Sequence, residues 1–160
     1  NGGGNLTTAE KLAERFTNEK KLIGYMSYKT GPGHNEFSTP EAVYLEPPMD
    51  RVRWQKHTVV LTNRRSYSAT NDFVNRMKQL DRVTVIGDKT GGGSGLPFSS
   101  ELPNGWSVRF SASPMYDPDM KHLEFGIEPD KKVDITSEDY NKGIDTIIEA
   151  AREYLHNHKQ

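Results

Sequence analysis

The residues most able to do chemistry lie between His57 and Leu80, where an apolar run meets a small-residue turn and then an amphipathic stretch. Thr58-Val59-Val60-Leu61-Thr62 is β-branched and apolar, the pattern of a buried parallel strand. Asn63 through Ser68 interrupts it, and from Ala69 onward Phe73, Val74, Met77 and Leu80 recur at helical spacing. A serine on such a turn faces unpaired helix N–H groups and the positive end of a helix dipole. That arrangement can present a hydroxyl nucleophile beside a site for a developing oxyanion. On this segment alone the simpler reading is that Ser66, Ser68 or Thr70 caps the helix.

The elements needed to position that turn are visible on both sides of it. Thr7-Thr8-Ala9-Glu10 has the spacing of a capping box, which starts a short helix carrying Leu12, Ala13 and Phe16. Leu22 to Tyr28 reads as a strand, and the proline-rich stretch from Lys29 to Asp50 as a long surface excursion. Arg53-Trp54-Gln55 is expected to be a short strand. Val83-Thr84-Val85-Ile86-Gly87 is expected to be a second buried strand, followed by the glycine run Gly91 to Gly95. Leu102-Pro103-Asn104-Gly105-Trp106 reads as a hairpin turn, because Asn-Gly favours positive φ. A last helix is expected from Ser137, with Ile144, Ile147, Ile148, Ala151 and Leu155 forming one long stripe. Helices alternating with apolar strands indicate an α/β layered fold.

A chain of 160 residues is sufficient for one domain with a real core, taken here as residues 1–160. A net charge of −1 argues against a general nucleic-acid binder. No stretch is long enough to span a membrane, and no signal-peptide pattern is present. With no cysteine, the chain has no disulfide, thiolate metal site or cysteine nucleophile. The histidines His34, His57, His122, His156 and His158 lack metal-ligand spacing, so no metal or other cofactor is expected. The opening Asn1-Gly2-Gly3-Gly4 looks like a turn without its preceding strand, which implies that a segment of the same protein lies upstream.

Four blocks, in order, resemble the tail-specific, or C-terminal processing, serine proteases. Asn1 to Gly4 is similar to the end of D-L-R-x-N-x-G-G. Val59 to Asn63 followed by Ser66-Tyr67-Ser68-Ala69-Thr70-Asn71 is similar to V-L-V-N…S-A-S-A-S-E. Val85 to Gly91 resembles V-V-G-E-x-T, with Leu102 to Gly105 resembling L-x-D-G, and Gly126-Ile127-Glu128-Pro129-Asp130 resembles G-I-x-P-D. The likeness implies a ClpP/crotonase-like α/β spiral truncated at its N-terminus. It also implies that Ser68 is the nucleophile of a serine endopeptidase, with the N–H groups of Ala69 and Gly3 as oxyanion donors.

Many relatives carry a lysine base in an F-G-K-G run, where this chain has Gly91-Gly92-Gly93-Ser94. Lys89 precedes that position and is read as an ordinary solvated lysine. The chain is therefore more similar to the tricorn core protease and interphotoreceptor retinoid-binding protein branches. In the tricorn branch a histidine upstream of the glycine motif is assisted by a downstream glutamate, and Glu124 is the candidate for that glutamate. The implied substrate is a polypeptide, unfolded or at its C-terminus, and the implied location is extracytoplasmic. Without the upstream base, the isolated chain is expected to be inactive. The other readings are a non-catalytic ligand- or peptide-binding module on the same scaffold, and a crotonase-type acyl-CoA enzyme, which would leave the Ser68 block unexplained. Gly91 to Gly95 lacks the lysine and following Ser/Thr of a phosphate-binding loop, and Tyr25, Tyr28, Trp54 and Trp106 read as core or sheet-face residues.

Overall fold

Asn5, rather than Thr7, starts the first helix: its side chain accepts the Thr8 N–H at 2.9 Å, and α1 runs Leu6–Ala13. The Asn cap, two residues earlier, places Thr7 inside the first turn and satisfies the Thr8 N–H instead of the Glu10 N–H that a Thr7 cap would serve. The computed structural model describes residues 1–49 and 53–158. Beyond α1 come β1 (Lys21–Met26), β2 (Glu41–Leu45), β3 (Thr58–Thr62), α2 (Ala69–Lys78), β4 (Val83–Gly87), β5 (Phe98–Glu101), β6 (Ser107–Phe110), β7 (Met115–Tyr116), β8 (Lys131–Lys132), α3 (Ser137–Asn141) and α4 (Thr146–Asn157). The architecture is mixed α/β, with sheet orders β2-β1-β7 and β3-β4-β8 and a separate β5-β6 ribbon.

The apolar run at Thr58 pairs parallel to β4 in continuous register, Thr58 with Val83 through Thr62 with Gly87. It is an edge rather than an enclosed strand, and Leu61 is exposed. The proline-rich excursion contains β2, which pairs antiparallel with β1. Prolines flank that strand at Pro40, Pro47 and Pro48 and leave its interior free to pair. Asp50 lies outside the described residues. Arg53 to Gln55 is not a strand; instead the Trp54 N–H donates to the Arg15 carbonyl at 2.8 Å. The last helix is two helices broken around Gly143, capped separately by Thr136 and Asp145. Its apolar stripe is real, but a second cap interrupts the backbone that carries it.

Helix α2 lies between two apolar clusters. Met77 and Leu80 pack with Ala13, Ile23 and Leu45, while Val74 packs with Val85, Met115, Leu123 and Ile127. Val60 touches both. The helix is therefore buried on its polar sides too: Asn71, Asp72, Asn75 and Arg76 are all enclosed. Each finds a partner, as burial requires. Asn75 donates to the Ile23 carbonyl at 2.7 Å, and Arg76 pairs with Asp72 at 2.6 Å.

Candidate active site

The turn ahead of α2 holds Ser68 at φ 59°, ψ −127°, and its side chain makes no capping hydrogen bond. A non-glycine residue in this conformation costs about 1–3 kcal/mol and persists only when its surroundings over-determine it. Here they do. The Ser68 N–H donates to the Gly92 carbonyl at 2.8 Å, its carbonyl accepts the Asp72 N–H at 3.1 Å, and Tyr67 N–H donates to the Asn1 carbonyl at 3.1 Å. The capping reading of Ser68 therefore fails, while Ser66 is a turn residue whose hydroxyl accepts the Asn63 N–H at 3.3 Å. Thr70 is a first-turn residue of α2.

Gly3 packs directly on this turn. A Cβ placed on it would lie 2.7 Å from the Tyr67 carbonyl oxygen, 2.8 Å from Ser68 Cβ and 2.9 Å from Ala69 N, and its φ is +99°. Only glycine fits there. The Ala69 N–H, an orphan of the helix start, takes no partner among the described residues. The Gly3 N–H is engaged by the Asn1 Oδ1 at 3.0 Å, an exposed bond between near neighbours. Ser68, Ala69 and the backbone of Gly4 open onto one cavity of about 310 Å³, whose walls include Asp72, Leu96 and Arg109.

Glu124 reaches the same region through the glycine loop. Its carbonyl accepts the Gly93 N–H at 3.0 Å, one residue along from the Gly92 carbonyl that holds Ser68. Its Oε2 is buried without a hydrogen-bond partner among the described residues. A buried carboxylate oxygen left unpaired is costly. Glu128, by contrast, is an exposed partner of Lys89 at 3.0 Å. Lys89 is thus ion-paired and only partly exposed rather than freely solvated.

Among the described residues, no histidine lines the Ser68 cavity. His122 Nδ1 accepts the Glu124 N–H at 3.1 Å and its ring sits edge-on to Tyr116. His57 and His158 face each other at 5.7 Å between ring centroids, with Tyr154 stacked on His158. Trp106 is among the most exposed residues and Trp54 and Tyr28 are exposed as well, so these three are surface aromatics and not core.

Sequence reasoning missed the residues that hold the site together. Asn71, fully buried, donates through Nδ2 to Ser94 Oγ at 2.7 Å and to the Leu123 carbonyl at 3.0 Å. Its Oδ1 accepts the Thr90 hydroxyl at 2.5 Å, and Thr90 Oγ1 in turn accepts the Ile127 N–H at 2.7 Å. One asparagine in the first turn of α2 thereby ties the serine's helix to the glycine loop and to the turn carrying Glu124. The available signal was the pairing of Asn71 with Asn75 and Asp72 with Arg76 at i, i+4, polar pairs on a helix that already had an apolar stripe.

The model of peptidase family S41 matches residues 1–133. A solved Parabacteroides merdae structure described as a candidate peptidase is 62% identical, superposes with a TM-score of 0.92, and is matched over 97% of this chain and 49% of its own. The crystal structure of mature CPAF is 16% identical with a TM-score of 0.82, covering 100% of this chain and 43% of that one, a likeness of fold. A protein of Chlamydia trachomatis serovar D is 26% identical over 137 residues, 78% of this chain and 23% of the relative. The chain thus spans half or less of the length of these relatives. With the family's model running through the glycine turn, the Ser68 elbow and the Glu124 turn alike, this chain belongs to peptidase family S41.

Proposed function

We propose that the chain carries the nucleophile half of a serine endopeptidase site, with Ser68 forming an acyl-enzyme. The observation that carries this is the Ser68 elbow: a strained, uncapped serine against a glycine that admits no side chain. Ser68 Oγ attacks the scissile carbonyl carbon while a general base takes its proton. The C–N bond then breaks, that proton leaves with the amine, and water releases the acyl group. The oxyanion is held by the Ala69 N–H and by the Gly3 N–H once substrate displaces Asn1 Oδ1. Glu124 orients the base, a histidine contributed from outside these residues. The unpaired Glu124 Oε2 and the engaged ring of His122 support that assignment.

This reading sets the chain on the tricorn and retinoid-binding side of the family, because no lysine occupies residues 91–94 and Lys89 is tied to Glu128. The corresponding architecture is the ClpP/crotonase-like spiral, and the substrate an unfolded or C-terminal polypeptide segment handled outside the cytoplasm. The isolated chain then turns over little or no peptide. Fluorophosphonate labelling read by intact mass tests this, on the chain and on a version extended upstream of Asn1, each with a Ser68→Ala control. Labelling of the extended form that disappears with Ser68→Ala is expected. Labelling of neither form overturns the nucleophile. Fast labelling of the isolated chain overturns the external base.

A second reading, a non-catalytic binding module, draws on a different cavity. On the other side of the glycine turn a space of about 430 Å³ is lined by apolar side chains including Leu12, Val60, Leu61 and Phe73. Saturable binding of an apolar ligand that is insensitive to Ser68→Ala, with no labelling of either form, is the outcome this reading expects.

A further inference from the structure

Arg109 is the one basic side chain on the wall of the Ser68 cavity. It projects from β6 of the exposed ribbon, and no ion pair or hydrogen bond engages its guanidinium among the described residues. The cavity's carboxylate, Asp72, is already neutralised: Arg76 holds it at 2.6 Å, and that pair is almost wholly buried. Arg109 is therefore the unpaired cationic side chain among the described residues that line the cavity, while the Glu124 carboxylate lies behind the lining residue Gly95. Leu96 and Met115 supply apolar wall. The ribbon is fixed to this wall, because the Ala112 and Ser113 N–H groups donate to the Gly95 carbonyl at 2.8 and 3.0 Å.

We infer that Arg109 forms a carboxylate-recognising subsite beside Ser68, so that the peptide drawn into this cavity carries an acidic group next to the bond presented to the serine. This rests on the reading of Ser68 as the nucleophile. A guanidinium suits the task, since its planar fork meets a carboxylate with two parallel hydrogen bonds. The carboxylate has two sources, an Asp or Glu side chain and the free C-terminus of the peptide.

The test uses the chain with Ser68→Ala, so that binding is read without turnover. Acetylated eight-residue Ala/Gly peptides carry a central Glu or Gln and end in an amide or a free carboxylate. Affinity and the Arg109 Nε–H NMR resonance are followed during titration. The expected result is about fivefold tighter binding of the peptide bearing a carboxylate than of its neutral isostere, the range of a partly exposed ion pair, with a shift of that resonance. Arg109→Gln abolishes the preference, and Arg109→Glu reverses it toward a Lys peptide. A preference in the amidated Glu peptide identifies the side chain as the source, and a preference confined to the free-carboxylate peptides identifies the C-terminus. Equal binding of all four peptides, no binding, or a preference that survives Arg109→Gln overturns the subsite. Urea midpoints of the Arg109 variants show whether the ribbon remains folded. The nucleophile assignment is judged separately by fluorophosphonate labelling, so the two can fail independently.

Discussion

The start of α2 and the β5-β6 ribbon both border the Ser68 cavity, and they are built in opposite ways. Around α2, charged and amide side chains are enclosed and answered one by one: Asp72 by Arg76, Asn75 by Ile23, Asn71 by Ser94, Leu123 and Thr90. In the ribbon every residue of β5 is exposed, Trp106 is 70% exposed, and Phe98 and Phe110 meet across the strands at 5.6 Å. Buried polar pairs narrow the arrangements open to a segment, because breaking one leaves a further group unpaired, beyond Asp72 Oδ1 and Arg76 Nη1, which take no hydrogen bond among the described residues. An exposed two-stranded ribbon has few contacts to lose and low local stability. The backbone around Ser68 is thus held by buried polar partners, while the ribbon is held by few.

Substitutions should separate the two sharply. Gly92→Ala is expected to have the largest effect: its φ is +82° and the new Cβ would lie 2.0 Å from the Glu124 carbonyl oxygen. A loss of about 3 kcal/mol or more by urea unfolding is expected; a loss below 1 kcal/mol would mean that the loop is not the clamp described here. Asn71→Ala leaves the Thr90, Ser94 and Leu123 groups short of partners and is expected to cost about 2 kcal/mol. In the upstream-extended protein it should also slow fluorophosphonate labelling. Unchanged labelling with lowered stability would reduce Asn71 to a purely structural residue.

Ser68→Gly relieves the strained backbone. It is expected to raise stability by about 1 kcal/mol while abolishing labelling, and a destabilised Ser68→Gly variant would remove the strain argument. In the ribbon, Trp106→Ala should change stability by less than about 0.5 kcal/mol, and a larger loss would show that the ribbon is packed more firmly than its exposure implies.

A comparably small effect concerns pH. Burial pushes the Asp88 carboxyl up, but the Lys89 N–H and the Arg64 side chain at 2.8 Å outweigh it, so the net position is below the ordinary carboxylate value. A depressed folded value contributes stability above the unfolded value of about 3.9 and loses it as pH falls through the folded value. Arg64→Gln should therefore cost about 0.5 kcal/mol at pH 7 and nothing once Asp88 is protonated. Equal cost at both ends of the titration would show that the guanidinium acts through packing rather than charge.

Much of the path to Ser68 was legible before any coordinates. Apolar residues at helical spacing located α2, β-branched runs located β3 and β4, and Asn104-Gly105 located the β5-β6 turn, where Gly105 indeed takes φ +83°. Those signals are local, and local chemistry sets them. What escaped was set by tertiary enclosure. Nothing local marks Asn71, Asp72, Asn75 and Arg76 as buried; the two clusters that close around the helix enclose them. Arg109 is forty-one residues beyond Ser68 in sequence and joins it only across the cavity. Thr7 was expected to cap α1 because its spacing to Glu10 fits a capping box, and Asn5 outcompeted it by lying at the point where the chain leaves the glycine turn.

The turn at the tip of the ribbon has a further consequence. Nothing lies within 4 Å of the position a Gly105 side chain would occupy, and Leu102 and Gly105 close the turn through their own backbone. Residues inserted there would extend outward without pressing on α2 or on the glycine loop. The tip is accordingly a place where sequence can lengthen and diversify at little mechanical cost, while the turn that holds Ser68 stays unaltered.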